Sequence, residues 1–389
     1  MNFKSLGLLP KIILAIAFGI VCGLWLPVGA VRIFSTFNSI FSEFLTFIIP
    51  LIILGLVAPA IADIGRGAGK MLFTTVLLAY GFTLLSGLLS YGVSVSSFPS
   101  LIDAQTNFEA GQQAVSPEPF FTISMPPLMN VMSALILAFT LGLGMTYIQK
   151  GSLQQTCNEF KDIIRLTIES VIIPLLPVYI FGIFLNMTAT GEVFRVLTVF
   201  AGIIGIIFLM HIFWLIFIYL IAGGVTRKNP FRALKNMLPA YFTALGTQSS
   251  AATIPITLSQ TLKNGVSEGI ASFVIPLCAT IHLSGSMLKI VACAVALMMM
   301  QGMTFNFSMF FGFICMLGVT MVAAPGVPGG AIMAALGVLQ SMLGFTETDQ
   351  ALMIALYIAM DSFGTACNVT GDGAIAMILE KITKNKPTK

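Results

Sequence analysis

Long apolar stretches recur along the whole of this chain, and they leave few folds open. A helix that crosses a bilayer takes about 20 mainly apolar residues. Stretches of that kind run at roughly 7–27, 36–62, 71–96, 128–148, 164–188 and 193–223, and less regular apolar segments follow to the end. Hydrocarbon offers no partner to backbone N–H and C=O groups, so spanning segments of this length are helical. Composition agrees, with 57% hydrophobic and 9% charged residues against about 25% charged in a soluble domain. One all-α integral membrane unit is expected, not two or three soluble domains. The first stretch, about Ile12 to Leu26, has no small-residue cleavage signal and is expected to be a retained helix. The six cysteines are scattered with neither disulfide nor zinc spacing.

The stretch from Ser97 to Met125 is too hydrophilic to cross. It carries Asp103, Glu109 and Glu118 and no lysine or arginine, as expected of an external loop. With the N-terminus inside, the positive-inside rule puts every lysine and arginine on the cytoplasmic side except Arg32, Arg195 and Lys289, the last of which lies within a span. That segregation requires two late apolar segments, about 236–262 and 305–345, to enter and leave on the same side. Both termini are then cytoplasmic, in a multi-pass protein of a cell membrane of the bacterial inner-membrane type. The net charge of +4 sits in short loops and needs no nucleic acid to explain it.

Each of those two segments is interrupted near its middle. The first contains Gly246-Thr247-Gln248-Ser249-Ser250-Ala251-Ala252-Thr253-Ile254-Pro255, the second Ala323-Ala324-Pro325-Gly326-Val327-Pro328-Gly329-Gly330. Proline removes a backbone donor and glycine permits a turn, so each segment reads as two half-helices meeting at a tip. Kinked ordinary helices are the plainer alternative. Irregular backbone at membrane depth is tolerated where protein or a water-filled cavity receives it, and paired interruptions of this kind point to a transporter binding site.

Polar residues inside the late spans mark where chemistry would sit. The span at about 269–302 contains Thr280-Ile281-His282-Leu283-Ser284-Gly285-Ser286, which suggests a locally unwound helix. The last span, about 350–380, holds Asp361, Asn368, Thr370 and Asp372. Seven- and four-residue spacings place Asp361, Asn368 and Asp372 on one helical face. A carboxylate at bilayer depth costs at least about 2.5–3.5 kcal/mol and is functional by default, although pairing with Lys289 is an open structural alternative. His211, in an apolar run, reads as a bundle residue, and Glu169 follows Arg165 at the spacing of a helix-face pair. Gly19 and Gly23 form a GxxxG match in the first span.

Three motifs in order carry a resemblance over essentially the whole chain. Asn368-Val369-Thr370-Gly371-Asp372, Ser249-Ser250-Ala251-Ala252-Thr253-Ile254-Pro255 and Gly326-Val327-Pro328-Gly329 resemble signatures of the dicarboxylate/amino acid:cation symporter family, the glutamate-transporter homologues. The resemblance implies eight transmembrane helices and two re-entrant helical hairpins with inverted repeats, working as an elevator in a homotrimer. Residues 1–233 would be an early six-helix region, scaffold plus part of the transport unit. Residues 234–389 would be hairpin 1, helix 7, hairpin 2 and helix 8, the substrate- and ion-binding core. It implies that Asp361 holds a substrate α-ammonium and that Asn368, Ser250 and hairpin amides meet its α-carboxylate. Ser249, Ser286, Gly364 and Thr365 would complete the pocket, with Val327 and Pro328 at the closing tip. Asp372, with Asn368, His282 and Thr280, would hold sodium, the coupling ion; no other cofactor is implied.

Departures from the family pattern matter as much. Acidic-substrate members carry an arginine three residues after the ammonium-binding aspartate, or just before the hairpin serines; here those positions are Gly364 and Gln248. Losing that bidentate cation favours a small neutral amino acid of the serine, threonine or alanine type. The family's Asn-Met-Asp-Gly-Thr motif reads His282-Leu283-Ser284-Gly285-Ser286, and its Thr-Ser pair aligns with Leu78-Ala79, so one ion site is expected to be absent. Lys289 lies seven residues after His282, on the same side of an ideal helix. It replaces the missing cation, titrates with His282 during transport, or pairs statically with Asp361 or Asp372.

Secondary symport with sodium accounts for these features together, and the chain is not expected to be an enzyme. Proton coupling, an acidic amino acid or dicarboxylate substrate, and an uncoupled channel or sensor are the alternatives. A hydrolase built from Ser249 or Ser250, His282 and Asp361 has the residue types but no nucleophile turn and no use for a second hairpin. No GxxxxGK[ST] loop for nucleotide is present.

Overall fold

The computed structural model describes residues 8–66, 69–103, 118–148, 151–191, 193–322, 324 and 328–384. Among these every regular element is a helix, with no strand. In order come α1 (Leu8–Trp25), α2 (Val28–Arg66), α3 (Gly69–Asp103), α4 (Val131–Tyr147), α5 (Ser152–Thr167), a π-helical turn (Ile168–Ile172), α6 (Ile173–Ala189) and α7 (Val193–Thr226). The later half follows as α8 (Pro230–Thr247), α9 (Ser250–Lys263), α10 (Glu268–Ile281), α11 (Ser284–Met300), α12 (Phe307–Met321), α13 (Gly330–Leu343), α14 (Glu347–Ala359) and α15 (Asp361–Lys384).

Five stretches are long and apolar enough to cross a membrane: Val28–Ala62, Met71–Ile102, Ser152–Ala189, Val196–Thr226 and Glu268–Met300. The pair Glu347–Ala359 and Asp361–Thr383, bent by 62°, makes a sixth if it counts as one broken span. Shorter apolar helices run at Pro10–Trp25, Ser133–Tyr147, Phe307–Met321 and Gly330–Leu343.

Two packing groups emerge. In one, α2 packs along α4, α5 and α6, and α1 lies against α6. In the other, α15 is surrounded by α7, α8, α9, α10 and α11, and α3 runs beside α11. The groups touch chiefly through α13 against α2 and α14 against α1 and α6. Thus α3 and α7, early in sequence, pack with the late helices.

The stretch expected as a loop from Ser97 begins as helix, because α3 continues to Asp103. Its serines bond back into the helix, Ser96 to Gly92 and Ser100 to Ser97, which lets a polar sequence stay helical. Glu109 lies outside the described residues. The non-helical run 118–130 is laced to α2: Arg32 Nε donates to the Glu118 carbonyl at 2.9 Å and its guanidinium lies 4.3 Å from the Phe120 ring centre, while the amides of Phe120 and Met125 donate to Thr36 and Glu43. The Arg165–Glu169 pair is formed at 2.8 Å.

The interruptions fall close to where the sequence breaks, but other residues make them. Gly246 and Pro255 lie inside α8 and α9; the turn is made by Gln248, left-handed at φ 54°, and by Ser249, whose hydroxyl caps the Ala252 N–H. Helix α10 ends at Ile281, His282 and Leu283 leave the helical conformation, and α11 restarts at Ser284. Gly329, at φ 77°, precedes α13. Gly326 and Val327 lie outside the described residues.

The GxxxG motif is a contact within the chain. A Cβ at Gly19 would sit 2.8 Å from the Phe181 carbonyl, and one at Gly23 would sit 2.5 Å from the Thr188 Cβ. Backbone-to-backbone approach of α1 and α6 depends on both. Gly23→Leu should overpack this seam at a cost of about 1–3 kcal/mol, read as a lower melting temperature of the detergent-purified protein, whereas Gly29→Ala, with open space around it, should leave it unchanged.

Candidate functional site

All four chain interruptions open onto one small cavity. Its wall takes Gln248 and Ser250 from the α8–α9 turn, Ala279, Leu283 and Ser286 from the α10–α11 break, and Ala324 and Ala331 from the α12–α13 connection; Tyr357, Asp361, Thr365 and Asn368 come from α14 and α15. The volume, about 30 Å³, is room for two or three water-sized groups. A roomier cleft of about 170 Å³ lies between Val57, Tyr80, Phe139 and Val319, but it is nearly all apolar and the Tyr80 hydroxyl is bonded to the Cys315 carbonyl.

Asp361 opens α15, three per cent exposed. Its Oδ1 accepts from the Lys289 ammonium at 2.7 Å and its Oδ2 accepts from the Gly329 N–H at 2.8 Å. Of the alternatives for Lys289, the structure shows the pairing with Asp361. The ammonium lies 3.4 Å from the centre of the Tyr357 ring, a cation–π contact, and the side chain is fully buried. Gly364 makes the approach possible: a Cβ there would lie 2.7 Å from Lys289 Cε and 2.8 Å from its Nζ. Tyr357 was not expected from the sequence, since a tyrosine in an apolar helix reads as packing; Gly329 was expected at the second tip, but not its contact with Asp361.

Asn368 sits one turn beyond Gly364. Its Oδ1 accepts from the Gly285 N–H at 2.8 Å and its Nδ2 donates to Ser286 Oγ at 3.2 Å, which shares a 3.0 Å hydrogen bond with the Tyr357 hydroxyl. This fixes the amide and leaves one of its N–H groups over. His211 Nε2 donates to the Gly285 carbonyl at 2.9 Å, so both backbone groups of Gly285 at the restart of α11 are held. His211 therefore supports the wall from behind. Gln248 is tied to Ser362 at 2.9 Å. Ser250 and Thr365 are on the wall and Ser249 is a cap, while Pro328 follows the undescribed Val327 and is not on the wall.

A second carboxylate, Asp372, lies deeper in α15. Its Oδ1 accepts from His282 Nδ1 at 2.8 Å, both side chains being essentially inaccessible. Gly371 gives the imidazole its place, since a Cβ there would be 2.6 Å from His282 Cε1. His282 and Lys289 thus serve different carboxylates, and the expectation that they share a side fails because the helix between them is broken at Leu283. Thr280 is exposed, and its hydroxyl returns to the Leu277 carbonyl, so the structure does not bring it to this group. Helix α3 carries no side-chain oxygen at Leu78 or Ala79, but one turn on Thr83 accepts from the Leu283 N–H and Ser86 donates to the Ser284 carbonyl. Buried oxygens without a partner remain on Asp372 (Oδ2), Ser284 and Thr370. Oxygen donors suit a hard cation, the His282 nitrogen less so, so the residues fit a sodium ion in part. No cluster of three or more His, Cys, Asp or Glu side chains occurs among the described residues.

A family model described as the sodium:dicarboxylate symporter family matches residues 8–382. The chain is similar to excitatory amino acid transporter 1 of Homo sapiens, 35% identical over 167 residues, which is 42% of this chain and 30% of that protein. It is also similar to excitatory amino acid transporter 2 of Homo sapiens, 31% identical over 44% of this chain and 30% of that protein. Neutral amino acid transporter B(0) of Rattus norvegicus is 31% identical over 40% of this chain and 28% of its own length. The matched stretches thus span less than a third of these relatives.

Removing one partner of a buried pair strands the other charge. Lys289→Met should destabilise the fold by about 3–5 kcal/mol, and Lys289→Met with Asp361→Asn should recover most of that loss. A double-mutant cycle on thermal unfolding measures the coupling; independent, additive effects would mean that the two residues do not pair.

Proposed function

The chain belongs to the sodium:dicarboxylate symporter family, and from that premise we propose that it is a secondary active symporter carrying a small substrate with one carboxylate, driven by sodium. The observation that carries this reading is the cavity itself. Four broken helices converge on it, and its wall offers Ser250, Ser286, Thr365 and a spare N–H of Asn368. Helix α9 starts on the same wall, and the first N–H groups of a helix favour an anion. No cation faces the cavity at position 364 or 248, which speaks against a second carboxylate and so for a neutral side chain.

In this proposal α1, α2, α3, α4, α5 with α6, α7, α10 with α11, and α14 with α15 are the eight transmembrane spans. The pairs α8–α9 and α12–α13 are re-entrant hairpins. The packing of α3 and α7 with the late helices supports a mobile unit made from both, moving as an elevator against α1, α2 and α4–α6 in a homotrimer. Both termini are cytoplasmic in a bacterial-type inner membrane. The partnerless oxygens on Asp372, Thr370 and Ser284 support sodium as the coupling ion beside the His282–Asp372 pair. A serine-, threonine- or alanine-type amino acid fits the single-carboxylate wall, but its ammonium would have to displace Lys289 from Asp361.

Purified protein in sealed proteoliposomes should concentrate a small monoanionic carboxylate under an inward sodium gradient. Asn368→Ala should lower the initial uptake rate at least about tenfold, the effect of losing a charge-assisted hydrogen bond of about 1.5–3 kcal/mol. Equal rates with and without any ion gradient would sink coupled symport in favour of a channel, and drive by protons alone would remove sodium from the scheme.

A further inference from the structure

We propose that the Lys289 ammonium is a built-in replacement for a substrate α-ammonium, so that the site selects short monocarboxylates with a hydroxyl or oxo group at the α position. The inference rests on the symport reading above and names its substrate class. Both oxygens of Asp361 are already engaged, one by Lys289 at 2.7 Å and one by the Gly329 N–H at 2.8 Å. The ammonium is no stray surface group. It is fully buried, stacked on Tyr357, and lodged in the space where any side chain at position 364 would have to be.

Among the described residues Asp361 is the only carboxylate on the cavity wall; of the other buried carboxylates of α15, Asp372 is paired with His282 and Glu380 accepts from Ser267, both away from that wall. An incoming ammonium would therefore be desolvated without an anion to meet it, which costs far more than losing a neutral hydrogen bond. The carboxylate end is provided for. The Asn368 amide is oriented by Gly285 and Ser286 so that one N–H is spare, and α9 begins at Ser250 on the wall. A hydroxyl or carbonyl oxygen at the α carbon can be matched by Ser286, Thr365 or Gln248, which donate or accept as needed. The pair Lys289–Asp361 sums to zero charge and Lys289 does not face the cavity, so a second substrate carboxylate finds no cation. The cavity is small, about 30 Å³, which favours a short substrate.

Alanine, lactate and pyruvate share one skeleton and differ only at the α position, so wild-type protein alone tests the idea. Radiolabelled uptake into proteoliposomes is measured for these three and for succinate, under sodium and proton gradients applied separately. Lactate or pyruvate should enter at least about tenfold faster than alanine, the scale of one unmet buried polar group. Alanine entering as fast or faster overturns the inference while leaving symport intact, and so does a preference for succinate. Uptake of none of the four under either gradient overturns the symport reading and the inference with it. As an independent readout, Lys289→Met frees Asp361, and alanine should then raise the melting temperature of that variant, as any native-state ligand does, while leaving wild type unmoved. Equal shifts in the two proteins would show that Lys289 does not stand in for the ammonium. If the variant does not fold, the wild-type comparison still decides.

Discussion

Backbone that leaves a helix inside an apolar medium must find its hydrogen-bond partners in the protein, and that demand organises the late half of this molecule. Each break is received by a side chain from elsewhere. Asn368 and His211 hold the amide and carbonyl of Gly285, Thr83 takes the Leu283 amide, Ser86 meets the Ser284 carbonyl, and Asp361 takes the Gly329 amide. Two of these side chains, Asn368 and Asp361, also stand on the cavity wall. A substitution among them is felt both in binding and in folding.

Charge is handled with the same economy of parts. Of the three carboxylates that α15 buries, Glu380 accepts from Ser267, while Asp361 and Asp372, about 16 Å apart along the axis at 1.5 Å per residue, each have a basic side chain from the broken α10–α11 span. Lys289 serves Asp361 and His282 serves Asp372. Burying paired charges is close to neutral for stability, while burying a lone one is costly, so the pairs keep α15 insertable. The Lys289–Asp361 pair also leaves the cavity wall without a free anion.

Much of this was legible in the sequence because apolar length and glycine or proline interruptions report directly on helices and their breaks. The break at 282–283, the paired interruptions and the buried polar set on the last helix follow from residue type alone. Their partners do not. Placing His282 and Lys289 on one side assumed a continuous helix, and the unwinding at Leu283 sends them to different carboxylates. Gly246 and Pro255 mark the first tip in the sequence, yet the chain turns at Gln248, because a serine cap at 249 satisfies the restart of α9. Helix α3 outruns its apolar stretch because its serines bond back to their own turn. Tyr357 carries no sequence signal, since its role comes from the ammonium that tertiary packing lays on its ring.

Positions 289 and 364 illustrate why single positions mislead. Taken alone, the glycine at 364 is a position without a side chain, and the lysine at 289 is an unexplained charge within a span. Packing joins the two statements, because the lysine fits only where position 364 has no side chain. A side chain at 364 would crowd the ammonium on Asp361, and without Lys289 the carboxylate would be buried unpaired. On the substrate class proposed above, the pair puts the positive charge on the protein's side of Asp361. The carboxylate is kept, its partner becomes permanent, and the wall that a ligand meets is uncharged.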